Sequence, residues 1–243
     1  MKNQDKLLVE VWSDVVCPFC YIGKRNYEKA LASFQYADDV QLEFKSFQLD
    51  PNFEQIPGQR LDLTANLAKK YNKSIQEVEQ MQQGITATAK SVGLDFDFDK
   101  AVTFNTFNAH RVAQAAKDAG LGNELEEAFF AAYFVEGKDL GNPEVLKQTA
   151  MAVGMSEEDI DRALTDEQYA QRVKEEINEA ASLRISGVPF FVFDRKYGVS
   201  GAQPVEAFLQ TLEAAHKEWK ETNAPIFKTV AEGPSCDAEG NCE

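Results

Sequence analysis

Two cysteines separated by Pro-Phe, Cys17 and Cys20, carry the clearest chemistry in this sequence. The apolar run from Leu7 to Trp12 leads into them and reads as a buried strand, with Asp14 to Val16 as the turn that follows. Cys17 then stands where a helix begins. Pro18 takes the first helical position, where a missing N–H leaves no hydrogen bond unmade. A thiol at a helix N-terminus faces unpaired backbone N–H groups and the positive end of the helix dipole. Both favour the thiolate and predict a pKa below the ordinary value of about 8.5. Cys20, one helical turn on, can close a short disulfide with Cys17, and a nucleophilic thiol beside a resolving thiol is the minimum apparatus for thiol–disulfide exchange. The same spacing also occurs as half of a zinc site. The preceding strand and the internal proline favour the redox reading, nothing near Cys17 supplies a second ligand pair, and no bound metal is expected.

The elements that must position these thiols can be read on either side of them. Ile22, Tyr27, Ala30, Leu31 and Phe34 fall at helical spacing, with Gly23 an early, tolerated weakness. Val40, Leu42 and Phe44 then alternate with Gln41, Glu43 and Lys45, the period of a strand with one wet face. Strand, helix and strand predict a parallel pair joined by a right-handed crossover. From about residue 52 to 180 the pattern is mostly helical. Ser74 with Glu77 is a capping box, Asn142-Pro143 opens another helix, and Ser156 with Asp159 and Thr165 with Gln168 mark two further starts. Phe190 to Phe193 is too apolar for a surface loop and reads as a buried strand. Tyr197 to Ser200 is its antiparallel partner. Pro189 opens the first of these strands, and Pro204 the last helix, which carries Val205, Phe208, Leu212 and Trp219 on one face.

Composition bounds the function. The chain has 243 residues, 44% of them hydrophobic, enough for a real core, and a net charge of −15 that argues against nucleic acid or an anionic membrane as partner. The opening Met1 to Lys6 runs straight into the first strand, with no apolar signal core and no run long enough to cross a bilayer. The expectation is a cytoplasmic protein. His110 has two readings: it orients a substrate or stabilises the Cys17 thiolate if the helical segment folds over the thiols, or it is a structural histidine at a helix start. His216, near Leu212 and Trp219, reads as structural. The last residues, 221 to 243, form a polar tail that holds Cys236 and Cys242.

Val11-Trp12-Ser13-Asp14 followed by Cys17-Pro18-Phe19-Cys20-Tyr21-Ile22-Gly23 resembles the opening of the DsbA-like thioredoxin-fold oxidoreductases, in particular their FrnE-like cytosolic branch. Phe104 to Arg111 and Ile185 to Val192 agree with the same family in the same order, so the resemblance spans about residues 6 to 220. It implies an α/β thioredoxin-like fold with a large all-helical insertion. Residues 1–51 and 181–220 would form the two halves of the thioredoxin-like domain, 52–180 the insertion and 221–243 a flexible tail. It implies a cis bond before Pro189, facing the Cys17–Cys20 pair, and a Val188 backbone turned toward a bound peptide. Pro18, Phe19, Val188 and His110 then become candidate substrate contacts. The resemblance raises the active-site reading of His110 until the two readings stand level.

What the resemblance implies for function is exchange with disulfide- or thiol-containing proteins or small molecules, with no prosthetic group and glutathione as a possible redox partner. Thioredoxin and DsbA span about −270 to −120 mV on one fold, set largely around the dipeptide between the cysteines. Phe19 cannot donate a hydrogen bond to the thiolate, so a less oxidising couple than DsbA is expected, fit for reductase or isomerase work in a reducing cytosol. Cys236 and Cys242 form a candidate second redox pair, with a metal-binding tail or idle thiols as the other readings. Two rival functions remain: a glutathione-dependent isomerase or transferase of the same fold, which usually carries serine at the position of Cys17, and a non-enzymatic holdase or metal-binding protein.

Overall fold

The computed structural model describes residues 6–55 and 61–223. Strand β1 (Leu7–Ser13) is buried along almost its whole length, because it lies in the middle of a four-stranded sheet. It pairs in parallel with β2 (Val40–Ser46) on one side and antiparallel with β5 (Phe190–Phe193) on the other. Strand β6 (Tyr197–Ser200) completes the sheet at the β5 edge. A central strand covered on both faces loses the apolar–polar alternation, which explains the near-continuous run Leu7 to Trp12. Helix α1 (Pro18–Ala32) makes the crossover from β1 to β2.

Register decides which face each side chain serves. Val9 opposes Phe193 and Val11 opposes Phe191, so these four share a face. On that face Tyr27 of α1 stacks on Phe191, and Phe208 of the closing helix packs edge-on against both. Trp12 and Val192 point the other way, toward Ala180 and Ile185.

Between β2 and β5 lies the helical segment. It holds β3 (Leu61–Asp62), α2 (Leu63–Tyr71), α3 (Ile75–Ser91), β4 (Val102–Thr103), α4 (Phe107–Asp118) and α5 (Gly122–Phe130). It continues through α6 (Pro143–Ala152), α7 (Glu157–Thr165) and α8 (Glu167–Ser182), and α9 (Val205–Thr222) closes the chain's described part. Ser74 and Glu77 form the capping box that their spacing predicts, and Asn142 and Ser156 cap α6 and α7. The cap of α8 is Asp166, whose carboxylate accepts from Gln168 N–H, and not Thr165. Thr165 ends α7 instead, donating its hydroxyl to the Asp161 carbonyl. A one-turn π-helix, Ala131–Val135, extends α5 and was not legible in the sequence.

The helical segment is fastened to α1 directly behind the two thiols. Tyr21 stacks on Phe130 with ring centroids 4.9 Å apart. Its hydroxyl donates to Glu127 at 2.6 Å, and Lys24 and Arg25 pair with the same carboxylate. Burial pushes Glu127 up, but these donors outweigh it and hold the carboxyl below its ordinary value. Three donors from α1 on one α5 carboxylate fix the two helices in register.

Candidate active site

Cys17 is the residue before α1, in extended backbone conformation, with Pro18 at the first helical position. Its N–H donates to the Asp14 carbonyl at 2.9 Å, closing the turn, and the Cys20 N–H donates to the Cys17 carbonyl at 3.0 Å. Both cysteines are present as free thiols. The Val188–Pro189 peptide bond is cis, as the resemblance implies. The Cys17 thiol donates to the Val188 carbonyl at 3.4 Å, so the two chain segments, 171 residues apart, meet at the nucleophile. Gly23 makes the approach feasible. A Cβ at that position would meet Pro189 Cγ at 3.1 Å and the Phe191 ring at 3.4 Å.

The two sulfurs face different surroundings. Beside Cys17 opens an apolar pocket of 330 Å³, walled by Val16, Leu63, Val78, Ile85, Phe104 and Tyr133. At its rim Phe19, Leu49, Tyr71 and Met81 are 42–52% exposed, a cluster of large apolar side chains left in water around one opening. Pro18 and Val188 also line it. A wider cleft of 1160 Å³, lined by amides such as Gln55, Asn105 and Asn142, contains neither cysteine.

Cys20 is 1% exposed and faces inward. Burial pushes its thiol well above the ordinary value, and the neighbouring Cys17 adds to the rise. The Ser13 hydroxyl and the Asp14 backbone act in the opposite sense and favour the thiolate. Ser13 itself donates to Glu126 Oε1 of α5 at 2.9 Å. His110 lies beneath the same turn, 3% exposed, with its Nε2 3.3 Å from Asp14 Oδ1 in a close but misaligned contact. Burial alone would lower the His110 pKa; the Asp14 carboxylate, with Glu126 and Glu176, carries it above its ordinary value. Burial raises Glu126, and His110, Ser13 and Lys117 offset only part of that rise.

Of the residues singled out in the sequence, Cys17, Pro18, Phe19, Cys20, Val188 and Pro189 come together at one end of the sheet. His110 is placed under the turn, on the side away from the apolar pocket, and lines a separate cavity of 560 Å³. Cys236 and Cys242 lie outside the described residues. His216 is buried near Trp219, with Nε2 2.8 Å from Asp39 Oδ2 and its ring stacked on Tyr36, far in sequence from the thiols. Sequence reasoning missed Ser13 and Glu126. Among the described residues no group of three His, Cys, Asp or Glu side chains is placed to hold a metal ion, and no helix is long and apolar enough to cross a membrane.

Comparison with known proteins agrees with this arrangement. An uncharacterized protein of Bacillus subtilis, YwbO, is 26% identical over 212 residues, covering 86% of this chain and 98% of its own. The crystal structure of a probable DsbA oxidoreductase from Streptomyces coelicolor superposes with a TM-score of 0.81 at 34% identity, covering 98% of each chain. The cytosolic disulfide reductase DsbM from Pseudomonas aeruginosa, with glutathione, shares the fold at a TM-score of 0.61 and 17% identity, over 87% of this chain and 100% of its own. The DSBA-like thioredoxin domain matches residues 8–213, from the first strand to the closing helix. With the paired thiols at the head of α1 and a cis proline opposite them, the chain belongs to the DSBA-like thioredoxin domain family.

Proposed function

We propose that this protein is a thiol–disulfide oxidoreductase working in the reducing or isomerising direction through Cys17 and Cys20. The observation that carries the reading is the meeting of the Cys17 thiol with the Val188 carbonyl across the cis Pro189 peptide, with Cys20 buried one turn behind. The Cys17 thiolate attacks a substrate disulfide, one substrate sulfur leaves as thiolate, and a mixed disulfide forms beside Pro189. An extended peptide lying there pairs by main chain with Val188, a mode tolerant of sequence. Cys20 then displaces the second substrate sulfur and closes the Cys17–Cys20 disulfide. Glutathione, present in the structure of the Pseudomonas reductase, is a suitable reductant for the return step. A reducing cytosol would hold the pair as thiols. Phe19 offers the thiolate no hydrogen bond and projects into solvent at the pocket rim, which supports a less oxidising couple than DsbA.

The test is the oxidised fraction of Cys17–Cys20 across a series of glutathione redox buffers, read by thiol trapping and mass. A midpoint nearer thioredoxin's value of about −270 mV than DsbA's of about −120 mV is expected, and Cys20→Ser should accumulate a mixed disulfide on Cys17. Absence of a Cys17–Cys20 disulfide in every buffer would overturn the reading. The apolar pocket beside Cys17, at the lower end of small-ligand cavities, favours a second reading as a glutathione-dependent isomerase or transferase. Under that reading turnover survives Cys20→Ser.

A further inference from the structure

The pocket beside Cys17 is not uniformly apolar. Gln82 of α3, Thr103 of β4 and Tyr133 of the one-turn π-helix belong to its lining. Each keeps one buried polar atom without a hydrogen-bond partner: Gln82 Nε2, Thr103 Oγ1 and Tyr133 Oη. Among the described residues five further atoms share that condition, and none of their side chains lines this pocket. Buried polar groups are normally paired, because an unmade bond forfeits the group's hydration for nothing. Gln82 is 7% exposed and Tyr133 fully buried, so bulk water does not make up the loss. The Thr64 hydroxyl donates to Gln82 Oε1 at 3.0 Å, which leaves the amide nitrogen as the unpaired end. Tyr133 sits at the centre of the π-helix, an irregularity found frequently at functional sites. Three elements of the inserted segment thus bring unpaired polar groups to the cavity on which the nucleophile opens.

The missing partner is an acceptor oxygen. A tyrosine hydroxyl and an amide nitrogen donate, and a threonine hydroxyl does either. That oxygen is uncharged. Burial, and then the charges of Asp14 and Asp139, push the Tyr133 hydroxyl above its ordinary pKa, so the field at this donor is negative. Asp50, also in the lining, is paired with Lys70 at 2.9 Å. A carboxylate would lose its hydration and meet that field, whereas a carbonyl oxygen meets the donors at far lower cost. Phe98, Phe104 and Tyr133 give the walls aromatic faces and edges, and 330 Å³ suits a compact ring system. Resting on the exchange reading, we propose that the substrate class of this site is a small, neutral aromatic disulfide bearing a carbonyl group, the ring held in the apolar pocket and the carbonyl oxygen by Tyr133, Gln82 and Thr103. The Cys17 thiolate attacks one substrate sulfur and the S–S bond breaks. Its electron pair leaves on the other aryl sulfur, which takes a proton from solvent. The retained aryl group occupies the pocket until the Cys20 thiolate closes the Cys17–Cys20 bond and releases it as the second thiolate. Two electrons pass from the protein dithiol to the substrate, and the two thiol protons go to solvent.

The experiment measures the rate of aryl thiol release by the full-length dithiol protein from three disulfides. They are bis(4-acetylphenyl) disulfide, its near-isostere bis(4-isopropylphenyl) disulfide and bis(4-carboxyphenyl) disulfide. Each rate is divided by that of free glutathione with the same compound, which removes intrinsic reactivity. The acetyl compound is expected to be favoured about tenfold over the other two. Tyr133→Phe and Gln82→Met should each slow the acetyl compound about fivefold and leave the isopropyl compound within about twofold, because only the former uses the donors. Equal normalised rates for the acetyl and isopropyl compounds overturn the proposal, a readout that needs no variant to fold. So does a preference for the carboxylate, or oxidised glutathione reacting faster than the acetyl compound on the same scale, which would make the substrate a peptide disulfide. Variants that slow the acetyl and isopropyl compounds alike also overturn it. A Cys17 that reacts with none of these disulfides overturns the exchange reading itself, and the proposal with it.

Discussion

The two thiols are three positions apart on one chain, yet they look into opposite kinds of protein. Cys17 opens on a pocket of Leu, Val, Ile, Phe and Tyr side chains with an apolar rim left in water. Cys20 is buried on the side of Ser13 and Asp14, whose partners form a buried polar cluster: Ser13 donates to Glu126 of one helix, and Asp14 lies 3.3 Å from the His110 imidazole of another. Apolar walls suit the side where an incoming disulfide must shed water. A polar, titratable floor suits the side where a proton has to move. The inserted helices contribute to both: α2 and α3 wall the pocket, and α4 and α5 build the floor. In this molecule the insertion is part of the chemistry's surroundings on each face of the CxxC turn.

The largest expected effect of disturbing this contrast comes from making the floor apolar. His110→Leu strands the Asp14 carboxylate, 1% exposed in its side chain, without its cationic neighbour. Breaking a buried pair this way costs about 3–5 kcal/mol. The pH dependence follows from the raised His110 pKa. A group whose folded pKa lies above its unfolded value gives its full contribution below the unfolded value of about 6.5, and loses it as pH rises through the folded one. Urea unfolding should therefore show the greatest penalty for His110→Leu near pH 6 and a smaller one at pH 9. An equal penalty at both would mean that the imidazole only fills space, and the contrast between floor and pocket would lose its electrostatic half.

A smaller effect is expected at the seam between the two sides. Gly23 faces Pro189 and Phe191, and Gly23→Val would push its new atoms against Pro189 Cγ, 3.1 Å from the position of the added Cβ. Overpacking of this kind costs about 1–3 kcal/mol. Thermal unfolding should drop accordingly, and Cys17 adduct formation should slow as the Val188–Pro189 segment shifts away from the thiol. Unchanged adduct formation alongside a lowered Tm would show that the nucleophile does not depend on that segment's position.

The parts of the site that were legible in the sequence are those whose signal is local. Cys17-Pro18-Phe19-Cys20 announces a helix start and a thiol pair within one turn, and the run Phe190 to Phe193 announces its own burial. Pro189 was legible as a strand opener from its own position, but as a cis residue facing the thiols only by resemblance. Ser13 and Glu126 are 113 residues apart, and nothing in Gly122 to Phe130 separates Glu126 from its neighbours Glu124 and Glu127 as the carboxylate that turns inward. Helical spacing places it beside Leu125 and Phe129, but which of three glutamates meets β1 depends on how α5 docks on α1. Gly23 was read as a helix weakness, since the need for a missing side chain appears only when Pro189 arrives from the far end of the chain. The two histidines show the same limit. Both are 3% exposed and both meet an aspartate, yet one sits under the thiols and the other against Tyr36.

The mildest change tests the pocket side alone. Met81 stands at the rim, 43% exposed, and belongs to α3 and not to any element holding the thiols. Met81→Glu replaces apolar surface with a charge that an aromatic or aliphatic substrate would have to approach. An apolar contact of one partly exposed side chain is worth about 1 kcal/mol, or roughly fivefold in KM. The expected result is a higher KM for a small aromatic disulfide, with kcat and resolution by Cys20 unchanged, since the interaction removed is the same in ground and transition states. Paired with Cys20→Ser, which is expected to leave the first attack by Cys17 alone and block resolution, it gives a reciprocal test of the two surroundings. Were Met81→Glu to slow resolution instead, α3 would be acting on the floor through α1. The two faces would then be one coupled environment, and the opposition drawn between them would fail.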